Sequence, residues 1–229
     1  MSLEARIHQV NERIREACRR AGRNPDEVNV IAVTKYVSAG MTESVLRAGL
    51  NHIGENRWQN AEEKWNRLGN RGVWHFIGHL QTNKVKDIIG KFTYIHSLDS
   101  ISLAKELDKK AAKLDLTVKC FLQVNVSGEE SKYGLQPEEA ASFLQQIAQY
   151  KHVQVIGLMT MAPFEENPER TRPVFRGLRE LKDELNGQAL TPEPMAHLSM
   201  GMSNDFEVAI EEGATWVRLG SILVGKEEE

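Results

Sequence analysis

The stretch Asn29-Val30-Ile31-Ala32-Val33-Thr34-Lys35 decides how the rest of the chain is read. Its β-branched residues, bounded by polar ones, predict a short buried strand that ends on a lysine where the apolar signal stops. Side chains alternate along a strand, so Lys35 shares a face with Ile31 and Val33, and Val30, Ala32 and Thr34 take the other. A lysine at the exit of an apolar strand is partly desolvated, and its amine is a candidate nucleophile for a carbonyl. The strand alone equally admits a lysine that extends its ammonium to water.

Upstream, Leu3, Ile7, Val10, Ile14, Ala17 and Ala21 recur at spacings of four and three. They mark one apolar face of an opening helix that stops at Gly22 and is closed off by Pro25. Downstream, apolar strands and amphipathic helices alternate: helix Met41 to Ala48, strand Asn51 to Glu55, helix Asn56 to Leu68, strand Val73 to Gly78. Helix Asn83 to Ile89, strand Phe92 to Leu98, helix Ile101 to Leu114 and strand Thr117 to Val126 follow. Pro137, backed by Glu138 and Glu139, starts a helix to about Tyr150. Strand Val153 to Thr160, a helix around Pro173 to Leu185 and strand His197 to Met200 come next. Ser203 then caps a helix through Ile210 that stops at Gly213, and Trp216 to Gly220 is the eighth strand. Lys226-Glu227-Glu228-Glu229 reads as a solvated tail.

Eight strands alternating with helices predict an α/β fold, a single (β/α)8 TIM barrel over residues 1–229 with an extra helix at its start. The competitor is an open doubly wound sheet. It loses its best support because no G-x-G-x-x-G follows the first strand and no Walker-type loop occurs.

Composition narrows the function. Of 229 residues, 41% are hydrophobic and 27% charged, as in a soluble globular protein, and the net charge of -3 gives no electrostatic reason to expect nucleic acid or an anionic membrane. A small molecule is the default ligand. The start of the chain is charged rather than signal-like, and no apolar run approaches the roughly 18 residues of a membrane span. A cytoplasmic location is expected, with Cys18 and Cys120 as reduced, buried thiols.

In barrels of this kind the chemistry sits at the carboxyl ends of the strands, and the loops after strands seven and eight commonly hold a phosphate. Here those loops are Ser199-Met200-Gly201-Met202-Ser203 and Gly220-Ser221. Their small residues let backbone N–H groups approach an anion, and a helix following the first loop would add partial positive charge. Taken singly, each could be only a turn. Arg218 lies on the eighth strand, on the face of Gly220, where a permanent cation calls for a carboxylate or a ligand atom. A strand-one lysine, two small-residue loops and this arginine together suggest a phosphorylated carbonyl ligand held as a Schiff base, and pyridoxal 5'-phosphate fits all three groups.

Other candidates carry less. His75 and His79 fall on one side of a strand, but without a third placed ligand they read as pocket or core residues, and no metal is assigned. Glu55 and Asp205 are carboxylates near strand ends, and for Asp205 a dipole role in the first helical turn suffices. Trp58 and Trp65, seven apart, read as one packed helical face.

The segments Ala32-Val33-Thr34-Lys35, Gly54-Glu55-Asn56, Trp74-His75-Phe76-Ile77-Gly78-His79-Leu80-Gln81-Thr82-Asn83-Lys84, Gly157-Leu158-Met159, Leu198 to Ser203 and Val217-Arg218-Leu219-Gly220 resemble the pyridoxal-phosphate homeostasis protein family, formerly called proline synthetase co-transcribed proteins. The resemblance runs through the whole chain in order. It implies a fold-type III pyridoxal-phosphate barrel similar to the N-terminal domain of alanine racemase, without the racemase's second domain. It also implies that Lys35 forms the internal aldimine, that Ser199, Gly201, Gly220 and Ser221 surround the phosphate with Met200 also at the cofactor, that Arg218 faces the pyridine nitrogen and that Asn56 lines the pocket.

An arginine cannot accept a proton from that nitrogen, so it weakens the ring as an electron sink. Racemisation also needs a second acid/base, and none of Tyr36, Tyr94, Tyr133 or Tyr150 sits in a segment that identifies it as one. The expectation is a monomeric, non-catalytic carrier or regulator of pyridoxal 5'-phosphate that serves PLP-dependent apo-enzymes. The alternatives are an amino-acid racemase and a cofactor-free Schiff-base aldolase.

Overall fold

The computed structural model describes residues 1–225, and residues 226–229, expected as a solvated tail, lie outside them. Eight strands are found among the described residues: β1 (Asn29–Val33), β2 (His52–Glu55), β3 (Val73–Phe76), β4 (Tyr94–Leu98), β5 (Val118–Gln123), β6 (Val153–Met159), β7 (His197–Ser199) and β8 (Trp216–Leu219). Each pairs in parallel with the next, and β8 returns to β1, closing the barrel. At the closure Ile31 stands beside Arg218 and Ala32 beside Leu219, while on the other side of β1 Val33 stands beside Gly54.

The alternation of β1 separates two apolar environments. Ile31 faces the lumen, in a small cluster with Phe121, Met159 and Trp216. Ala32 and Ile53 face out, into the larger core between barrel and helices. That core is covered by α1 (Leu3–Ala21), α2 (Ala39–Arg47), α3 (Trp58–Leu68), α4 (Val85–Ile88), α5 (Ile101–Ala112), α6 (Ala140–Ile147), α7 (Arg172–Gly187), α8 (Phe206–Glu211) and α9 (Ser221–Val224). The expected barrel and its extra opening helix are both present.

The opening helix is capped at both ends. Ser2 Oγ accepts the Ala5 N–H at 3.2 Å, and Gly22 takes the left-handed conformation at φ 64° that ends a helix without steric cost. Arginines within the helix and just after its end then fasten it to α8 and the turn that follows. Arg13 pairs with Glu207 at 2.6 Å and Arg20 with Glu211 at 2.6 Å, while Arg23 Nη1 donates to the carbonyls of Ile210 and Ala214 at 2.6 and 2.9 Å. From α7, Arg172, Arg176 and Arg179 each reach the nearly buried Glu212 at 3.1 Å. Burial works to raise Glu212, but those guanidinium groups overturn it and hold the carboxyl below its ordinary value.

The strands are shorter than their apolar runs predict: β2 and β4 begin later than expected, and the other six end earlier as the last residues of the run turn off the barrel. The helix expected from Ser203 starts at Phe206 instead. Ser203 Oγ accepts the Gly220 N–H at 3.3 Å, and Asp205 Oδ1 takes the Met202 N–H at 2.7 Å, so both side chains fold the loop rather than cap the helix from Ser203. Trp65 meets Trp74 edge to face at 5.4 Å, and Trp58 meets Phe92 at 6.5 Å, as expected of core packing. Cys18 and Cys120 are free and buried, and burial pushes both thiols up. Among the described residues no helix is long and apolar enough to cross a membrane.

Candidate functional site

Barrel closure gathers the residues singled out from the sequence. Lys35 follows β1, Asn56 follows β2, Ser199 ends β7 with Met200 and Gly201 after it, and Arg218 lies in β8 just before Gly220 and Ser221. Since β7, β8, β1 and β2 are consecutive around the closed sheet, all eight residues lie at one sector of its carboxyl-terminal end.

Lys35 is half-buried, and its Nζ lies 4.8 Å from the centroid of the exposed Tyr36 ring. The turn that presents it is fixed from behind. Thr34 Oγ1 donates to Glu55 Oε1 at 2.5 Å, and the buried Lys64 Nζ, from α3, donates to Thr34 O at 2.6 Å and Glu55 Oε1 at 2.7 Å. Burial raises Glu55, with Lys64, Thr34 and Lys35 pulling the other way. Glu55 is thus a partner in a buried ion pair, and neither Thr34 nor Lys64 was found from sequence. The signal was available for Lys64, which stands three residues from Ala61 on the apolar side of its helix.

Asn56 presents a buried Oδ1 with no hydrogen-bond partner among the described residues. Its backbone is approached so closely by the exit of β3 that a Cβ on Gly78 would lie 2.2 Å from Asn56 O. Beside it opens a cavity of about 530 Å³ whose lining includes Arg57, Gly78, His79, Lys84 and Tyr133.

At the far side of the sector, Gly201 holds φ 92°, and a Cβ there would meet Ala209 Cβ at 2.6 Å, so only glycine fits the loop. Among the described residues the backbone N–H groups of Gly201, Ser203 and Ser221 have no acceptor, whereas that of Gly220 is taken by Ser203. The loop amides, rather than a helix leading on from Ser203, make the donor-rich surface here.

Arg218 is 4% exposed and forms no ion pair among the described residues. Its Nη1 donates to Ser199 Oγ at 2.7 Å and its Nη2 to Thr160 O at 3.0 Å. Burial lowers it to about 10, with Asp205 opposing. Ser199 is wholly buried, with its hydroxyl between Arg218 and His96 Nδ1 at 2.8 Å, so this side chain serves the arginine rather than the loop surface. Thr160 and His96 were not found from sequence.

His75 and His79 are not brought together. β3 ends at Phe76, so His75 stays in the lumen, while His79 lies in the loop, stacked on Tyr133 at 4.2 Å. No cluster of three metal-ligating side chains occurs among the described residues. Of the four tyrosines, Tyr36 and Tyr133 are exposed near the rim, Tyr94 stacks on His75 in the lumen, and Tyr150 packs against the outer core.

Residues 6–228 match the family of the alanine racemase N-terminal domain. The pyridoxal phosphate homeostasis protein of Aquifex aeolicus is 46% identical over 222 residues, which cover 96% of each chain. The chain belongs to the pyridoxal phosphate homeostasis protein family. The homeostasis protein of Pseudomonas aeruginosa is 39% identical over 220 residues, 96% of this chain and 93% of that one. Among solved structures, PipY of Synechococcus elongatus with PLP bound superposes at TM-score 0.85 with 34% identity, over 98% of this chain and 100% of that one. Alanine racemase from Corynebacterium glutamicum, at 13% identity and TM-score 0.69, spans 93% of this homeostasis-family chain and 59% of its own, and shares the barrel.

Proposed function

We propose that this chain binds pyridoxal 5'-phosphate at the β7–β8–β1–β2 sector and acts in its intracellular homeostasis by holding and releasing it, without turning over a substrate. Arg218 is the observation that carries the reading. A buried guanidinium that among the described residues has no carboxylate in ion-pair contact, beside three backbone donors and an Asn56 oxygen without partners there, fits an anionic ligand that also carries a ring nitrogen. When bound, pyridoxal 5'-phosphate supplies an aldehyde open to reversible attack by a lysine amine, and a phosphate dianion.

Each residue then has a task. Lys35 provides the amine, and the Thr34–Glu55–Lys64 group fixes the turn that aims it. The amides of Gly201, Ser203 and Ser221 would hold the phosphate, with Met200 and Gly220 shaping the two loops, and Asn56 would close the opposite wall. Ser199 holds Arg218, which offers donors alone to a ring nitrogen. That disfavours a protonated ring and with it the carbanion chemistry such a ring assists. The family membership supports homeostasis over catalysis. A monomeric, cytoplasmic state and delivery to PLP-dependent apo-enzymes belong to the same proposal.

The deciding measurement is the visible spectrum of the purified protein and of Lys35→Ala after addition of pyridoxal 5'-phosphate, before and after borohydride. A yellow band in the wild type, removed by borohydride and absent from the variant, is expected. A wild type that stays colourless overturns the reading. Rapid Lys35-dependent exchange of an amino acid's Cα proton in deuterated solvent would replace the carrier with a racemase-like enzyme.

A further inference from the structure

A line of polar side chains runs through the lumen where apolar filling is the rule. His52 Nδ1 lies 2.9 Å from His75 Nε2, His75 Nδ1 lies 2.9 Å from His96 Nε2, and His96 Nδ1 lies 2.8 Å from Ser199 Oγ, which accepts from Arg218 at 2.7 Å. His52 opens β2 at the amino-terminal mouth of the barrel and is half-exposed, while His75, His96 and Ser199 are wholly buried. The line steps from β2 to β3 to β4 and crosses the lumen to β7 and β8, ending at the functional sector. Stacking fixes the ring planes, with Tyr94 on His75 at 4.5 Å and Phe121 on His96 at 4.3 Å.

We propose that His52, His75, His96 and Ser199 form a directional hydrogen-bond file that positions Arg218 and keeps its sense fixed. The direction follows from counting donors. Arginine only donates, and a neutral imidazole has one donor and one acceptor. Ser199 accepts from Arg218, so its own proton goes to His96 Nδ1. His96 must then donate through Nε2 to His75, and His75 through Nε2 to His52, leaving His52 Nε2–H for solvent at the mouth. The opposite sense would make Ser199 accept from both sides and strand its hydroxyl proton in a buried place. Burial holds His75 and His96 well below the ordinary histidine range, so both stay neutral, as the file requires. His96 and His75 act on the site through Ser199 and Arg218, so they are positioning residues. Their effect on ligand binding rests on the reading of Arg218 given above, whereas the order of the file does not.

Two measurements test this. Nitrogen-15 histidine spectra of the ligand-free wild type at neutral pH are expected to show His75 and His96 protonated at Nε2 alone. Ser199→Ala, which cuts the file from its fixed donor, should bring in the second tautomer. A wild type carrying Nδ1–H or a doubly protonated ring at either position, or a Ser199→Ala protein still in one tautomer, overturns the file. Pyridoxal 5'-phosphate titration then compares His96→Leu, which strands the Ser199 hydroxyl, with His96→Gln, whose amide can accept from Ser199 and donate to His75. The leucine variant is expected to bind about tenfold more weakly with a displaced absorbance maximum, and the glutamine variant to recover both. Wild-type affinity and band position in His96→Leu overturn the positioning role. A wild type that takes up no pyridoxal 5'-phosphate overturns the functional reading, while the nitrogen spectra still decide the file.

Discussion

At the scale of single residues, the site depends on a buried ion pair that has no role in composition-based reasoning. Glu55 and Lys64 are 0% and 5% exposed, and they meet at 2.7 Å behind the turn that carries Lys35. Removing one member of such a pair strands a charge out of water, whereas removing both does not. Lys64→Met is therefore expected to destabilise the fold by about 3–5 kcal/mol in urea unfolding, and Lys64→Met with Glu55→Gln to recover a large part of it. Additive losses would show that the pair is not coupled. Lys35, Arg218 and the small-residue loops were legible in the sequence because strand exits and glycine-serine runs have local signatures. The Thr34–Glu55–Lys64 group and the partners of Arg218 were not, since their meaning comes from contacts between separate strands. A histidine in the inward register of successive apolar strands is the one local sign that His75 and His96 gave.

At the scale of elements, α1 shows what periodicity delivers and where it stops. Its spacing, its Gly22 ending and its apolar face were readable, but not that its arginines would fasten it to the end of the chain. Arg23, just past the end of α1, is the clearest case, because its guanidinium satisfies one carbonyl in the last turn of α8 and one beyond it. Arg23→Ala leaves those carbonyls to find water, and a loss of about 1–3 kcal/mol is expected. Faster amide exchange confined to α1, α8 and the turn after α8 would locate it, and uniform acceleration through the barrel would contradict it. The start of α8 was misplaced for a related reason. Ser203, Asn204 and Asp205 are all cap-forming types in succession, and the Gly220 amide, supplied by the next strand's loop, engages Ser203 and so leaves the helix to begin later.

At the scale of the whole molecule, the strand–helix alternation was enough to reach an eight-stranded barrel, while the contents of its lumen were not. Those contents set an acid limit. His75 and His96 are lowered by burial first, His75 also by His52 and His96 also by His75 and Arg218. A histidine whose folded value lies below its unfolded value of 6.5 contributes full stability above that pH and loses it as pH falls toward the folded value. The slope should reach about 1.4 kcal/mol per pH unit for each such histidine. Urea unfolding midpoints between about pH 7.5 and about pH 5.5 should therefore fall, less steeply in His75→Phe, and a flat profile would contradict this. The pairing of Ile31 with Arg218 has a consequence of another kind. During synthesis the strand that leads to Lys35 leaves the ribosome early and β8 leaves it late. The amine therefore emerges long before the cation and amides that complete its surroundings, and contacts of such long sequence separation form slowly. A nascent chain cannot assemble this sector, so under the proposed function capture of a reactive aldehyde is reserved for molecules whose first and last strands have already met.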